Sequence, residues 1–307
     1  MNLRIFFIVV LVMASAVATA DKRIALTYDD APRSDGRVFT GQARAGALID
    51  ALRKVEAGPV AFFVTTRGIE GPGEGRERIA RYAAAGHLIA NHSHTHPWSH
   101  KTDADDYIAD IDRAETLLEG FDNRRAWFRF PFLDEGRTAP KIEAIAEALD
   151  KRGLANGYVT VDNYDWYVDR KLQDALEAGR DVDYERLGRF YVQMLLYAAE
   201  FYDSLAVQVL GDSPVHVLLL HENDLAALYA DDLVLALRAT GWTIVSPDEA
   251  YDAPLATPVT PYTSQGRVFG LAADAGRSRS TMWTWAIDEA MIDIQLERSG
   301  AFGKGDE

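Results

Sequence analysis

The stretch Ile24-Ala25-Leu26-Thr27-Tyr28-Asp29-Asp30 is a short apolar run that ends on two adjacent carboxylates. Similar runs recur at Val60–Val64, His87–Ala90, Ala126–Phe130, Gly157–Val161, Val215–Leu220 and Thr243–Val245. Each has the length and composition of a β-strand. Between several of them lie segments with apolar residues at three- and four-residue spacing: Ala43–Val55, Tyr107–Leu118, Lys141–Leu149 and Leu225–Leu237. That is the period of a helix with one apolar face. Strands alternating with helices from Arg23 to about Ser246 predict βαβ units and a parallel sheet. About seven such units predict an α/β fold, a distorted or incomplete (β/α) barrel.

Two regions break the rhythm. Tyr167–Asp212 reads as purely helical where one crossover helix would suffice, and Tyr184–Leu210 within it is strongly amphipathic. Its stripe of Leu187, Tyr191, Met194, Leu195, Ala198 and Tyr202 must be buried against something. Either it covers the outer wall of the barrel, or the preceding arm, with Tyr167, Asp169, Arg170 and Lys171, overhangs a cleft and closes one end. After Pro247 the chain becomes rich in Pro and Thr and ends in Thr281–Leu296, which carries Trp283 and Trp285. The expected organisation is a leader at 1–20, a catalytic unit at 21–250 with a helical insertion at 167–212, and an extension at 251–307 that packs on the barrel.

Polar residues stand directly after the apolar runs, which in a parallel barrel is the C-terminal rim where active sites form. Asp29-Asp30 needs a cation or donor if both carboxylates stay ionised, or it is a solvated turn or helix cap. Asn91-His92-Ser93-His94-Thr95-His96 puts three of the chain's seven histidines within five residues. Imidazole is the commonest ligand for a borderline divalent metal. The four-residue spacing of His92 and His96 predicts both rings on one face of a helical turn, held by Ser93, with His94 pointing away. Arg129, set among apolar neighbours, needs a carboxylate partner. Asp162-Asn163-Tyr164-Asp165-Trp166 offers the missing carboxylate and an aromatic wall suited to a sugar face. His221, ending the run at Leu218-Leu219-Leu220, is read as a rim histidine with an orienting partner.

Composition narrows the function. The 307 residues leave room for one large α/β domain or two small ones. Arg4, the apolar run Ile5–Val17 and Ala18-Thr19-Ala20 form the pattern of a secretory signal peptide, with Asp21 as the first mature residue. The expected location is the periplasm or the medium, with no stable membrane association after cleavage. There is no cysteine, which excludes a disulfide scaffold, thiolate metal ligands and a cysteine nucleophile. The formal charge of −15, with no basic cluster, argues against nucleic acid as a partner. A neutral or cationic substrate fits better. Oligomeric state is not legible.

Taken in order, these segments resemble the polysaccharide deacetylase family, also called the NodB homology domain or carbohydrate esterase family four. Thr27-Tyr28-Asp29-Asp30-Ala31 stands for the family's Thr-Phe-Asp-Asp-Gly, and His92-Ser93-His94-Thr95-His96 for His-(Ser/Thr)-x-x-His. Arg129 to Phe132 stands for Arg-x-Pro-(Tyr/Phe), Asp165-Trp166 for the Asp-Trp segment, and Leu219-Leu220-His221 for Leu-x-His. The matched region runs from about Ile24 to Val245. Ala31 replaces the usual Gly, and Phe132 the commoner Tyr.

The resemblance implies a distorted (β/α) barrel, one divalent metal ion, commonly zinc, and hydrolysis of acetyl groups on a carbohydrate. It implies that Asp30, His92 and His96 bind the metal and that Asp29 takes a proton from water. His221 would donate a proton to the leaving group, with Arg129 and Asp165 orienting the two. The backbone N–H of Phe132 would help hold the oxyanion, and Trp166 and Leu219 would contact substrate. The alternatives are a metal-dependent amidohydrolase on a small non-sugar amide and a non-catalytic carbohydrate-binding protein. The first usually carries its His-x-His after the first strand, where this chain has Asp29-Asp30.

Overall fold

The computed structural model describes residues 21–71, 73–260 and 265–303, so the expected leader at 1–20 lies outside the described residues. The strands are β1 (Arg23–Ala31), β2 (Ala61–Val64), β3 (Leu88–Asn91), β4 (Arg124–Phe128), β5 (Ala155–Asn156), β6 (Val215–His221) and β7 (Thr243–Ile244). They form one parallel sheet in the order β5-β4-β3-β2-β1-β6, with β7 paired to the start of β1 at Arg23 and Ile24. The helices are α1 (Gly41–Lys54), α2 (Gly75–Ala84), α3 (Ala104–Leu118), α4 (Ala139–Lys151) and α5 (Asp165–Glu177), then α6 (Tyr184–Leu210), α7 (Asp224–Ala239), α8 (Pro247–Asp252), α9 (Arg267–Asp274) and α10 (Glu289–Ser299).

β1 lies between β2 and β6, and every residue from Ile24 to Asp29 is buried. A central strand covered on both faces reads as a continuous apolar run instead of an alternating one. That is why the opening stretch is so legible.

Of the seven runs, Gly157–Val161 is not a strand. Its chain leaves β5 and crosses from one edge of the sheet to the other. Gly157 N–H still donates to Phe128 O of β4 at 2.8 Å, while Leu219 N–H of β6 donates to Val161 O at 3.1 Å. This short crossing joins the two free edges where an undistorted barrel would have another full strand. Its apolar residues are buried, so its composition is strand-like although its backbone is not. Gly157 itself is fixed by space, because a Cβ there would meet the Phe63 ring at 2.6 Å.

The region expected to be purely helical contains two helices, α5 and α6. The N-cap Asp183 accepts from Arg186 N–H, and Gly211 in the left-handed conformation ends the helix. All six residues of its apolar stripe are buried. α6 packs against α7 on the barrel wall and carries α9 and α10. Past Trp166, the arm residues Tyr167, Arg170 and Lys171 turn to α10 instead of the cleft. The Tyr167 hydroxyl and Lys171 Nζ reach Asp293 on α10 at 2.9 and 3.0 Å, and Arg170 reaches Glu289 at 3.3 Å. Asp169 turns inward to accept from Asp224 N–H at 3.1 Å. Acidic groups on α10 thus take up the basic arm. Among the described residues no helix is long and apolar enough to cross a membrane.

Candidate active site

The strand ends deliver their polar residues to one place. Asp29, Asp30, His92, His96, Phe132, Trp166, Leu219 and His221 line a single cavity of about 410 Å³ at the C-terminal rim. Arg129 and Asp165 stand behind it, both fully buried. Among the described residues, five of the seven non-glycine residues with positive φ lie here: Asp30 (64°), Ser93 (69°), His96 (58°), Phe132 (58°) and Leu133 (51°). Such conformations cost about 1–3 kcal/mol each, and they cluster where function dictates side-chain direction.

Asp29 and Asp30 are adjacent but differently held. Asp29 Oδ1 accepts from Arg129 Nη1 at 2.6 Å. The same guanidinium donates to Thr27 Oγ1, Gly157 O and the Tyr251 hydroxyl at 2.8, 2.7 and 2.9 Å, and stacks over the Phe63 ring. A buried charge needs such saturation, and Arg129 has it. Asp29 Oδ2 stays on the cavity side, 3.6 Å from His92 Nε2. In Asp30, Oδ2 takes Arg33 Nη1 at 3.1 Å, and Oδ1 faces His96 Nε2 at 3.2 Å and His92 Nε2 at 3.6 Å. Burial would raise the Asp30 carboxyl, but His96, His221, His92 and Arg33 outweigh it and hold it well below the usual carboxylate range.

The two histidines do not share a helical turn. Residues after Asn91 run irregularly, with left-handed bends at Ser93 and His96. Those bends, rather than a helix face, bring the rings together. Ser93 Oγ accepts from His96 N–H at 3.0 Å and holds the second bend. His92 Nδ1 sits 2.9 Å from Arg129 O. A carbonyl only accepts, so Nδ1 carries a hydrogen, and Nε2 is the atom that faces the cavity. Burial pushes the His96 imidazolium down to about 4, reinforced by His92, so the His96 ring is neutral at pH 7. His94 points away, to Thr66 Oγ1 at 3.0 Å, Arg113 and Glu70.

Asp30, His92 and His96 offer donor atoms that all lie within 4.8 Å of one another. Ligands about 2.0–2.2 Å from a tetrahedral ion stand about 3.3–3.6 Å apart. The 3.2 and 3.6 Å spacings around Asp30 Oδ1 suit that geometry. One carboxylate oxygen and two imidazole nitrogens also form a donor set typical of a borderline divalent ion. These residues fit a metal with a coordination position left open.

Across the cavity, His221 Nδ1 donates to Asp165 Oδ1 at 2.6 Å, and His221 N–H donates to Asp165 Oδ2 at 2.9 Å. Asp165 is held by Asn223 Nδ2 at 3.1 Å and by its own N–H to Asn163 Oδ1 at 3.0 Å. Burial disfavours the charged imidazole, but the Asp165 carboxylate, with help from Asp30, overcomes it and raises His221 to about 9. His221 is therefore a cation at neutral pH with Nε2–H free.

Sequence reasoning did not single out Trp98, Tyr251 or Asp162. Trp98 lies flat on Phe132, with centroids 3.8 Å apart, and lines the cavity with it. Tyr251 buttresses Arg129 from α8, a contact with no local sequence signal. Asp162 lines the cavity, although its segment drew attention for Asp165 and Trp166.

Residues 16–152 match a family model described as polysaccharide deacetylase. No curated protein matches the chain. Among solved structures, the chitin deacetylase of Colletotrichum lindemuthianum aligns at 21% identity with a TM-score of 0.51, covering 75% of this chain and 88% of that one. The Bc1960 peptidoglycan N-acetylglucosamine deacetylase aligns at 19% identity with a TM-score of 0.50, covering 77% of this chain and 91% of that one. These likenesses establish a shared fold.

Proposed function

We propose that this chain, a polysaccharide deacetylase family member through residues 16–152, is a metal-dependent hydrolase that removes acetyl groups from an N-acetylated glycan or oligosaccharide. The observation that carries this reading is the convergence of Asp30, His92 and His96 beside a restrained carboxylate and a charged histidine. A divalent ion bound by these three, zinc by family resemblance, would polarise the acetyl carbonyl and acidify water. Asp29 receives the proton of the attacking water through its cavity-facing Oδ2, while Arg129 fixes the other oxygen. His221 gives its Nε2 proton to the departing nitrogen, and Asp165 keeps that proton on the ring until it is needed. The Phe132 N–H is assigned to the oxyanion. Trp98, Phe132, Tyr164, Trp166 and Leu219 supply apolar surface for a sugar ring and an acetyl methyl.

The leader pattern at 1–20 supports export to the periplasm or medium. We read 21–250 as the catalytic unit with its insertion at 167–212, and 251–307 as an extension carried on α6. The direct test is acetate release from N-acetylated chitooligosaccharides by the purified protein. Release is expected, and its absence across chitooligosaccharides, peptidoglycan fragments and acetylated xylan would refute the assignment.

A pH profile follows from His221. With its pKa raised to about 9, the acid is present below that pH and lost above it. We expect kcat/KM to fall on an alkaline limb near 9. Asp165→Asn removes the anion that outweighs burial, so the limb should move to lower pH. A limb unmoved in Asp165→Asn would separate His221 from the acid role.

A further inference from the structure

Asp162 is a third carboxylate in the cleft that the proposed chemistry does not use. It is 4% exposed, yet it lines the same cavity as Asp29 and His221. Its place is set by both neighbours. Val161 is bridged to Leu218, and Asn163 Nδ2 donates to Leu219 O at 2.7 Å. Asp162 is thereby pinned alongside the end of β6, on the His221 side of the cavity. The backbone N–H of Asn163 stabilises its charge, and no side chain among the described residues donates to its carboxylate. Burial pushes the group up to about 7, and the Asp165 and Asp29 carboxylates push the same way against Asn163 and His221. A desolvated carboxylate that no side chain hydrogen-bonds, balanced only by the His221 cation, is stabilised by positive charge brought into the cleft.

Deacetylation generates that charge in one case and not in the other. In both, water adds its oxygen to the acetyl carbon and gives a proton to Asp29. From an amide, the nitrogen of the tetrahedral intermediate then takes the His221 proton on its lone pair and becomes positive before the C–N bond breaks. Cleavage returns the C–N electron pair to nitrogen, so the amine leaves neutral and the positive charge is greatest as the bond breaks. From an ester, the C–O bond breaks, the departing oxygen takes the His221 proton, and a neutral hydroxyl leaves.

We propose that Asp162 selects acetamido over acetoxy sugars by stabilising the positive charge that develops on the departing nitrogen. This rests on the deacetylase reading above and assigns its preference for N-acetylated sugars to one residue. A carboxylate cannot favour a neutral hydroxyl in this way, so the discrimination is electrostatic rather than steric.

The test is a ratio measured on the full chain loaded with metal. kcat/KM is determined for an N-acetylated chitooligosaccharide and for an O-acetylated xylooligosaccharide, in wild type, Asp162→Asn and Asp162→Glu. Loss of folded enzyme lowers both rates equally and leaves the ratio unchanged. Wild type is expected to favour the amide. Asp162→Asn should lower the amide-to-ester ratio about 10- to 100-fold, the range for one hydrogen bond to a charged partner. Asp162→Glu, which keeps the charge, should recover part of it. An unchanged ratio in Asp162→Asn, or a wild type that favours the ester, would overturn the proposal while leaving deacetylation intact. Inactivity of wild type on both substrates would overturn the deacetylase reading as well.

Discussion

Asp29→Asn should reduce kcat about 10²–10⁴-fold, the usual cost of losing a general base, while metal uptake stays close to wild type. The Asn carbonyl can still accept from Arg129, so the saturated guanidinium keeps an acceptor where Asp29 Oδ1 now stands. What disappears is the ability to take a proton at the cavity-facing position. Retention of metal is expected because Asp30, His92 and His96 form the ligand cluster and Asp29 lies beside it. The measurement is kcat on an N-acetylated oligosaccharide together with metal content per chain. A variant with near wild-type kcat would remove Asp29 from the base role, and one that lost its metal would move it into the ligand set.

His221→Ala should lose a comparable factor, but unevenly across substrates. An amide nitrogen is a poor leaving group until it is protonated, so the full loss of about 10²–10⁴-fold is expected there. An activated acetyl ester whose phenolate leaves without a proton should lose far less. That contrast isolates proton donation from damage to the fold. Damage is a real concern, because the variant strands the fully buried Asp165 carboxylate without its imidazole partner. Equal losses on both substrates would point to that structural effect instead of acid catalysis.

Much of this arrangement could be read from the chain because parallel α/β folds separate their tasks. Apolar runs build the sheet, and the residues just after them face the rim. β1, β2, β3 and β6 obey that rule closely, and Asp29, Asp30, His92 and His221 were legible for that reason. Gly157–Val161 was misjudged because burial alone demands apolar side chains, whatever the backbone does. The helical turn expected for His92 and His96 failed for a related reason. Four-residue spacing predicts a shared face only if the backbone is helical, and Ser93 and His96 are left-handed. Helix α2 was missed because its inward face rests on few apolar residues, chiefly Ile79, Tyr82 and Ala83, among charged ones. The buttress from Tyr251 to Arg129 spans 122 residues, and such a contact has no spacing to read. Whether the insertion covers the outer wall or its arm overhangs the cleft depends on Glu289 and Asp293, distant in sequence, which pair with Arg170 and Lys171.

The central claim is that Asp30, His92 and His96 hold one divalent ion on which turnover depends. The most direct test is a zinc titration of chelator-stripped protein, followed by calorimetry and by acetate release in the same samples. The account predicts that the stripped protein is inactive, binds one equivalent of ion, and regains its rate in proportion to occupancy, whereas His96→Ala binds far more weakly. A stripped protein that keeps its full rate, or His96→Ala that binds and turns over like wild type, would contradict it.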